Sequence, residues 1–205
     1  MSRMSPSHPL AHPRLYSLWQ APFRRQKLAP VFATGDVARA RRVLDVACGP
    51  GLDARHFAHA DYTGLDLDPG YVEHARARHP RARFLVADAR SELLPHEPPF
   101  DFILANSFLH HVDDAGARRV LAQLARLVTD DGHVHVLDLV LPESPCIARA
   151  LARADRGDHP RTLAAWRDLF TERFEPVLFE PYPVRLMGLP LWHMVYFKGR
   201  ARREP

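Results

Sequence analysis

The chain has 205 residues, of which 46% are hydrophobic and 25% are charged, and these values predict a single globular domain over residues 1–205. No apolar run approaches the roughly 20 residues of a membrane span, and the N-terminal residues lack the continuous apolar stretch of a secretion signal. Two cysteines are too few for a disulfide framework, so the sequence favours a location in the reducing cytoplasm. The net charge is +4, but the basic residues are scattered along the chain and indicate no nucleic acid partner.

Residues 1–33 are predicted to form a poorly ordered tail followed by a helical cap over the rest of the chain. Apolar residues recur at helical spacing between residues 13 and 32, but Pro22 and Pro30 should break this stretch into short helices. Tyr16 lies in the cap, where it would either face a bound cofactor or join the core as an aromatic side chain.

A glycine-containing loop follows the first predicted strand. The apolar run at residues 43–46 ends in Ala47-Cys48-Gly49-Pro50-Gly51, and a helix is predicted over residues 52–59. Because Gly49 and Gly51 lack a Cβ atom, the loop can turn sharply and lie against a ligand. The free N–H groups at the start of the following helix would favour the same ligand, so the segment predicts a nucleotide-type site.

Four further strands are predicted, and each carries a polar residue near its end. The second ends at Asp66, 17 residues after Gly49, which is near the distance of a ribose-binding acid from a glycine loop. The next three, over residues 82–89, 100–108 and 133–140, carry Asp88, Asn106 and Asp138. Ligands of open parallel sheets bind outside the carboxyl ends of the strands, so this array indicates one site.

Two cofactors fit the glycine loop. Residues 49–54 fit the dinucleotide fingerprint G-x-G-x-x-A. Residues 45–51, DVACGPG, instead resemble D-x-G-x-G-x-G, motif I of the class I S-adenosylmethionine (SAM)-dependent methyltransferases, with Ala47 in place of the first glycine. The later motifs favour the second interpretation. Residues 100–114 and 124–138 resemble the small-molecule branch of that family most closely.

This resemblance implies SAM as the cofactor and assigns roles to several residues. Asp66 would accept hydrogen bonds from the ribose hydroxyls, Leu67 would pack on one adenine face, and Asp88 would bind the adenine amino group. The other implied cofactor contacts are Asp45, Ala47, Gly49, Ala89 and Asn106. The implied fold is α/β, with a Rossmann-like open sheet of seven strands in the order 3-2-1-4-5-7-6, the last strand antiparallel, and helices on both faces.

His110 and His111 are the candidate catalytic residues at the rim. An imidazole with a pKa near 6.5 suits a general base for an acceptor that carries a proton. Neighbouring residues usually point different ways, so at most one would face the substrate, and both could instead be structural residues at a helix entry. His133 and His135 share one strand face, but no third ligand is evident near them, so no metal site is expected.

Residues 141–175 are predicted to form a helical insertion above the substrate pocket. Ser144 and Thr162 are the predicted caps of its two helices. Arg156 and Arg161 would bind an acidic group of the substrate or form surface ion pairs. After the insertion, residues 177–186 predict an edge strand interrupted by prolines, and residues 191–198 predict the last strand.

The sequence thus predicts an enzyme that transfers a methyl group from SAM to a small molecule, with oxygen as the favoured acceptor atom. A sulfonium methyl is already activated, so holding donor and acceptor in line could contribute about 7–11 kcal/mol without further chemistry. The alternatives are a SAM-binding protein without methyl transfer, an NAD-dependent oxidoreductase and an RNA methyltransferase. The last two are disfavoured because neither a second domain nor an appended RNA-binding domain is evident.

Overall fold

The computed structural model describes the backbone of residues 13–91, 94–155 and 157–203, with side chains from residue 23 onward. The elements in chain order are α1 (Pro13–Ala33), α2 (Asp36–Arg39), β1 (Arg42–Val46), β2 (Asp61–Asp66), α3 (Pro69–Arg78), β3 (Arg83–Val86), β4 (Phe100–Asn106), α4 (Asp114–Leu127), β5 (Val128–Val140), α5 (Ile147–Ala154), α6 (Leu163–Thr171), β6 (Phe174–Leu186) and β7 (Leu189–Ala201). Two 3₁₀ turns lie at Ala54–Phe57 and Leu109–His111.

The seven strands form one sheet in the order β3-β2-β1-β4-β5-β7-β6, which confirms the predicted fold. β1 pairs in parallel with β2 and with β4, whereas β7 runs antiparallel to both β5 and β6. The strand order therefore reverses between β1 and β4. In open α/β sheets, the crevice outside the carboxyl ends of strands at such a reversal is the usual ligand site.

Apolar side chains leave the central strands on both faces, because side chains alternate along a strand. Leu44 of β1 packs in one core cluster with residues of α4 and α6, such as Leu121 and Trp166. Val43 packs in the other cluster with residues of α1 and α3, such as Leu28. Helices therefore cover both faces of the sheet, as a largely parallel sheet requires.

The N-terminal helix differs from its prediction. α1 runs without interruption through Pro22 and Pro30, although each proline removes one helical hydrogen-bond donor. Leu28 and Val31 of this helix are buried, and tertiary packing of this kind outweighs local propensity. None of the helices in the described part of the chain has the length and hydropathy needed to cross a membrane.

Several element boundaries also differ from prediction. β6 is one continuous strand, because the edge of a sheet tolerates prolines that have no N–H to donate. α5 starts after Cys146 without a side-chain cap, so Ser144 does not cap it. Thr162 caps α6 as predicted, since its side chain accepts a hydrogen bond from the N–H of Ala165.

Candidate functional site

The loop after β1 is built on three residues in the left-handed region. Ala47, Gly49 and Gly51 have φ angles of 60°, 55° and 71°. A Cβ atom on Gly51 would lie 2.9 Å from the Cβ of Ala75, so only glycine fits there. A Cβ on Gly49 would meet no described atom within 4 Å, so the backbone at that position is open to a ligand. The sharp turn predicted from the sequence is therefore present.

The helix predicted over residues 52–59 is wrong, because the chain forms only the 3₁₀ turn Ala54–Phe57 there. Asp53 precedes this turn, but its carboxylate does not cap the N–H groups. It pairs instead with Arg24 of α1, with 2.8 Å between the guanidinium Nε and Oδ1. One short turn has little dipole to offer a ligand, so binding at this loop depends on its own backbone and on side chains.

Asp66 ends β2 directly beside the glycine loop. One carboxylate oxygen accepts from the N–H of Gly49 at 2.7 Å, and the other accepts from the N–H of Asp68 at 2.9 Å. Burial raises the pKa of Asp66, and these backbone hydrogen bonds offset part of that rise. Each oxygen keeps a lone pair for a ligand donor. The next side chain, Leu67, is 39% exposed at the rim of the sheet.

Asp45 lies beneath the loop rather than at its surface. Its side chain is buried, and its carboxylate accepts a hydrogen bond from the Tyr62 hydroxyl at 2.5 Å. Burial raises the pKa of Asp45 well above its usual range, and the negative charge of Asp53 adds to the rise. Asp45 still lines the pocket described below, but its nearest polar partner is Tyr62.

Asp88 follows β3 and is held by a bidentate ion pair. Arg90 approaches both carboxylate oxygens, with distances of 2.9 Å to Oδ1 and 2.6 Å to Oδ2. The hydrogen bonds from Arg90 lower the pKa of Asp88, so this carboxylate is ionised and fixed in orientation. Ala89, the next residue, is buried.

A pocket opens between the loop after β1 and the end of β4. Its lining residues are Arg24, Lys27, Asp45, Ala47, Cys48, Gly49, Pro50, Leu52, Asp53, Asn106 and Ser107. Four of the predicted cofactor contacts, at residues 45, 47, 49 and 106, are therefore brought together in one place. The ion pair between Arg24 and Asp53 lies at this pocket, and the two side chains are only 15% and 13% exposed to solvent.

A chain of polar contacts crosses the pocket from α1 to β4. The Lys27 ammonium donates to the Ser107 hydroxyl at 3.2 Å, and that hydroxyl donates to the side-chain amide oxygen Oδ1 of Asn106 at 3.1 Å. The Asn106 amide group in turn lies 3.4 Å from Asp53. Burial lowers the pKa of Lys27, and the surrounding carboxylates offset part of this effect. Sequence motifs do not predict Arg24, Lys27 or Asp53 as site residues, because no local motif shows that α1 crosses this pocket.

The two histidines after β4 have different surroundings. His110 is 4% exposed, and its Nδ1 lies 2.5 Å from Asp138 while its Nε2 lies 3.2 Å from Asp155. Burial alone would lower the pKa of His110, but the two carboxylates outweigh it and raise the pKa to about 9. His111 is half-buried, and its ring centroid lies 4.1 Å from that of His110. His110 is therefore an interior cation rather than a free base.

Arg161 has a structural position instead of the predicted substrate contact. Its guanidinium donates to Asp114 at 2.8 Å and to the carbonyl oxygens of Leu109 at 2.9 Å and Val112 at 2.7 Å. It also lies 4.9 Å from the ring of Trp166. These contacts tie the loop after α5 to the 3₁₀ turn after β4. Arg156 and the side chain of Tyr16, two other predicted site residues, lie outside the described residues.

Parts of the chain are similar to known methyltransferases. A family model described as a methyltransferase domain matches residues 43–132. An uncharacterized methyltransferase of Mycobacterium tuberculosis is 38% identical over 104 residues, which cover 49% of this chain and 51% of the relative. A trans-aconitate 2-methyltransferase of Methylobacterium radiotolerans is 34% identical over 137 residues, which cover 65% of this chain and 50% of the relative. The chain thus spans about half the length of the curated relatives that it matches.

A solved structure extends the similarity to nearly the whole chain. The plantazolicin methyltransferase BpumL, in complex with a pentazolic desmethylPZN analog and SAH, has a TM-score of 0.69 to this structure. The match covers 91% of this chain and 88% of the other, at 16% identity. At this identity the match shows the shared fold alone.

Proposed function

We propose that this chain is a class I SAM-dependent methyltransferase that transfers a methyl group from SAM to a small-molecule acceptor, with oxygen as the acceptor atom. One observation carries the proposal. The left-handed loop after β1, the carboxylate of Asp66 and the pocket at the end of β4 meet at the reversal point of the sheet. Open α/β sheets usually bind their ligands at this point, which supports a cofactor site here.

We assign the two ends of the cofactor from the charges at this site. The amino-acid end of SAM carries a carboxylate and an ammonium group, and the pocket offers Arg24 for the first and Asp53 for the second. The ribose hydroxyls would donate to the free lone pairs of Asp66. The adenine would then lie along Leu67, with its amino group toward Asp88 and Ala89. Asn106 would contact the cofactor at the end of β4.

Methyl transfer in this proposal rests on positioning. The sulfonium carbon is already electrophilic, so the protein must align the acceptor and exclude water. His110 is a poor general base, because its two ring nitrogens face Asp138 and Asp155 and its pKa of about 9 keeps it protonated at neutral pH. An acceptor that is already an anion needs no base, which favours a carboxylate oxygen.

The proposed acceptor is therefore a small organic acid. One relative is named for trans-aconitate, which belongs to that class. Lys27 lines the pocket, is half-buried and lies near Asp155, Asp138 and Asp53, so it is the first proposed contact to an acidic group of the substrate. Arg156 is the second proposed contact to an acidic group of the substrate.

Calorimetry tests the cofactor assignment first. We expect binding of SAM and of S-adenosylhomocysteine, and no binding of NAD. Asp66→Ala should weaken SAM binding at least tenfold, because it removes two charge-assisted hydrogen bonds of about 1.5–3 kcal/mol each. Asp61→Ala is the matched control, since Asp61 lies at the opposite end of the same strand and its side chain is largely exposed. Unchanged SAM affinity in the Asp66 variant would contradict the ribose assignment.

Product mass analysis tests the transfer step. The protein and SAM are incubated with one candidate acceptor at a time, from a panel of organic acids, phenols and amines. Each product is examined for one added methyl group. Methylation of an acid at oxygen is the expected result. SAM binding without methylation of any acceptor would favour the non-enzymatic alternative, and methylation at nitrogen or carbon would contradict the assigned acceptor atom.

A further inference from the structure

A cluster of metal-ligating side chains lies after the carboxyl end of β4. His110 and His111 come from the 3₁₀ turn at that position, and Asp155 comes from the loop after α5. One ligand atom from each residue lies within 4.8 Å of the ligand atoms of the other two. Two imidazole nitrogens and one carboxylate oxygen form a donor set that suits first-row transition metals better than Mg²⁺ or Ca²⁺.

Asp138 fixes the orientation of the His110 ring through its Nδ1 atom. The Asp138 carboxylate is fully buried and lies 2.5 Å from Nδ1 of His110. It also accepts from the N–H groups of Leu109 at 2.8 Å and Leu139 at 2.7 Å, so it cannot turn away. A histidine that donates one ring N–H to a buried carboxylate presents its other nitrogen as a well-oriented ligand. Here that nitrogen is Nε2, and it faces Asp155.

The separation of the first two ligand atoms fits a shared ion. Nε2 of His110 and Oδ1 of Asp155 are 3.2 Å apart. With metal–nitrogen and metal–oxygen bonds of about 2.0–2.2 Å, two neighbouring ligands of a tetrahedral ion lie about 3.3–3.6 Å apart. A metal ion can therefore take the place of the proton that these two atoms otherwise share, without a large movement of either side chain.

The loop that carries Asp155 is packed closely on His110. A Cβ atom on Gly157 would lie 2.0 Å from Cδ2 of His110, so only glycine permits this contact. The N–H of Gly157 donates to Oδ1 of Asp155 at 3.1 Å, and the N–H of His159 donates to the His110 carbonyl oxygen at 3.0 Å. The two segments that supply the ligands are thus held together before any ion binds.

We propose that His110, His111 and Asp155 bind one divalent transition-metal ion of the Zn²⁺ class, with Asp138 as the residue that orients His110. Three protein ligands leave at least one coordination position for water or for an oxygen of the substrate. The site is made of side chains that the proposed cofactor contacts do not include. Binding of the ion is therefore independent of methyl transfer and can be measured without SAM.

Cobalt(II) titration of chelator-treated full-length protein tests this site, because the visible bands of Co²⁺ report its coordination. We expect saturation at one equivalent per chain and displacement of the bands by Zn²⁺. Asp155→Asn and His111→Ala should each weaken Co²⁺ binding at least tenfold, as expected when a ligand is lost. His111 is half-buried, so its variant should keep the fold, which circular dichroism checks.

His159→Ala is the matched control, since this exposed histidine lies on the same loop outside the cluster. It should bind Co²⁺ like the unmodified protein. The proposal is overturned if chelator-treated protein shows no saturable Co²⁺ bands, or if binding survives in both ligand variants. It is also overturned if His159→Ala loses binding to the same extent, because the ion would then sit elsewhere on the loop.

Discussion

Ala47 occupies a backbone position that favours glycine, and this makes a quantitative prediction. Its φ of 60° lies in the left-handed region, which costs a residue with a Cβ atom about 1–2 kcal/mol. Ala47→Gly removes this cost, but glycine gains entropy in the unfolded chain, which opposes the benefit by about 0.4–1 kcal/mol. The difference predicts a net stabilisation of about 0.5–1 kcal/mol. For a chain of this size, such a gain raises the melting temperature by about 1–4 °C.

Thermal and urea unfolding measure this effect, with Ala40→Gly as the matched control. Ala40 has an ordinary φ of −59° and is 6% exposed, so the same substitution should destabilise the protein there. The two variants should therefore move in opposite directions. If Ala47→Gly destabilises the protein as much as Ala40→Gly does, position 47 stores no backbone strain, and the reasoning from its φ angle is refuted.

Three further predictions concern other parts of the molecule. Asp88→Asn should reduce the discrimination between SAM and its inosine analogue in a binding assay, because one acceptor oxygen becomes a donor amide; equal binding of both by the unmodified protein would contradict the role. Gly157→Ala should lower the free energy of unfolding by about 1–3 kcal/mol, since its Cβ would lie 2.0 Å from an imidazole carbon, whereas Gly70→Ala, whose nearest contact is 3.1 Å, should not. Burial lowers the pKa of His135 to about 3 in the folded protein. As the pH falls from about 6.5 towards 3, this histidine is therefore protonated in the unfolded chain but not in the folded one, and the free energy of unfolding should fall by about 1.4 kcal/mol per pH unit. In urea unfolding, His135→Gln should flatten this dependence on pH, whereas His59→Gln, at an exposed histidine, is the control and should leave it unchanged. Equal slopes in the two variants would show that His135 does not titrate in this way.

The strand pattern and the glycine loop were predictable because their signals are local. A short apolar run followed by Gly49 and Gly51 predicts a strand and a sharp turn, and the structure has both. The spacing in the sequence predicts that Asp66 lies beside the glycine loop, and its carboxylate does accept from the N–H of Gly49, while its role toward the ribose stays a prediction. These features depend on residues that are close in sequence or on parallel strands with a regular spacing.

The errors arose where distant segments decide the structure. The helix expected after β1 is replaced by a short turn whose preceding acid, Asp53, pairs with Arg24 of α1. Arg24 lies almost thirty residues earlier, beyond the reach of any local pattern. The proline positions in α1 predicted a broken helix, but burial of Leu28 and Val31 supports a continuous one. Tertiary packing overrides local propensity in both cases.

The two halves of the rim therefore depend on different parts of the chain. The half proposed to bind the cofactor is formed by the loops after β1 and β2, through their backbone angles and the carboxylate of Asp66. The other half is assembled when the loop after α5 packs on the 3₁₀ turn after β4 through Gly157 and Arg161. Because that packing lies outside the glycine motif, substitutions in the loop after α5 can change the acceptor or the bound ion while the cofactor contacts stay the same. We therefore predict that exchange of residues 155–161 alters the acceptor preference without altering SAM affinity.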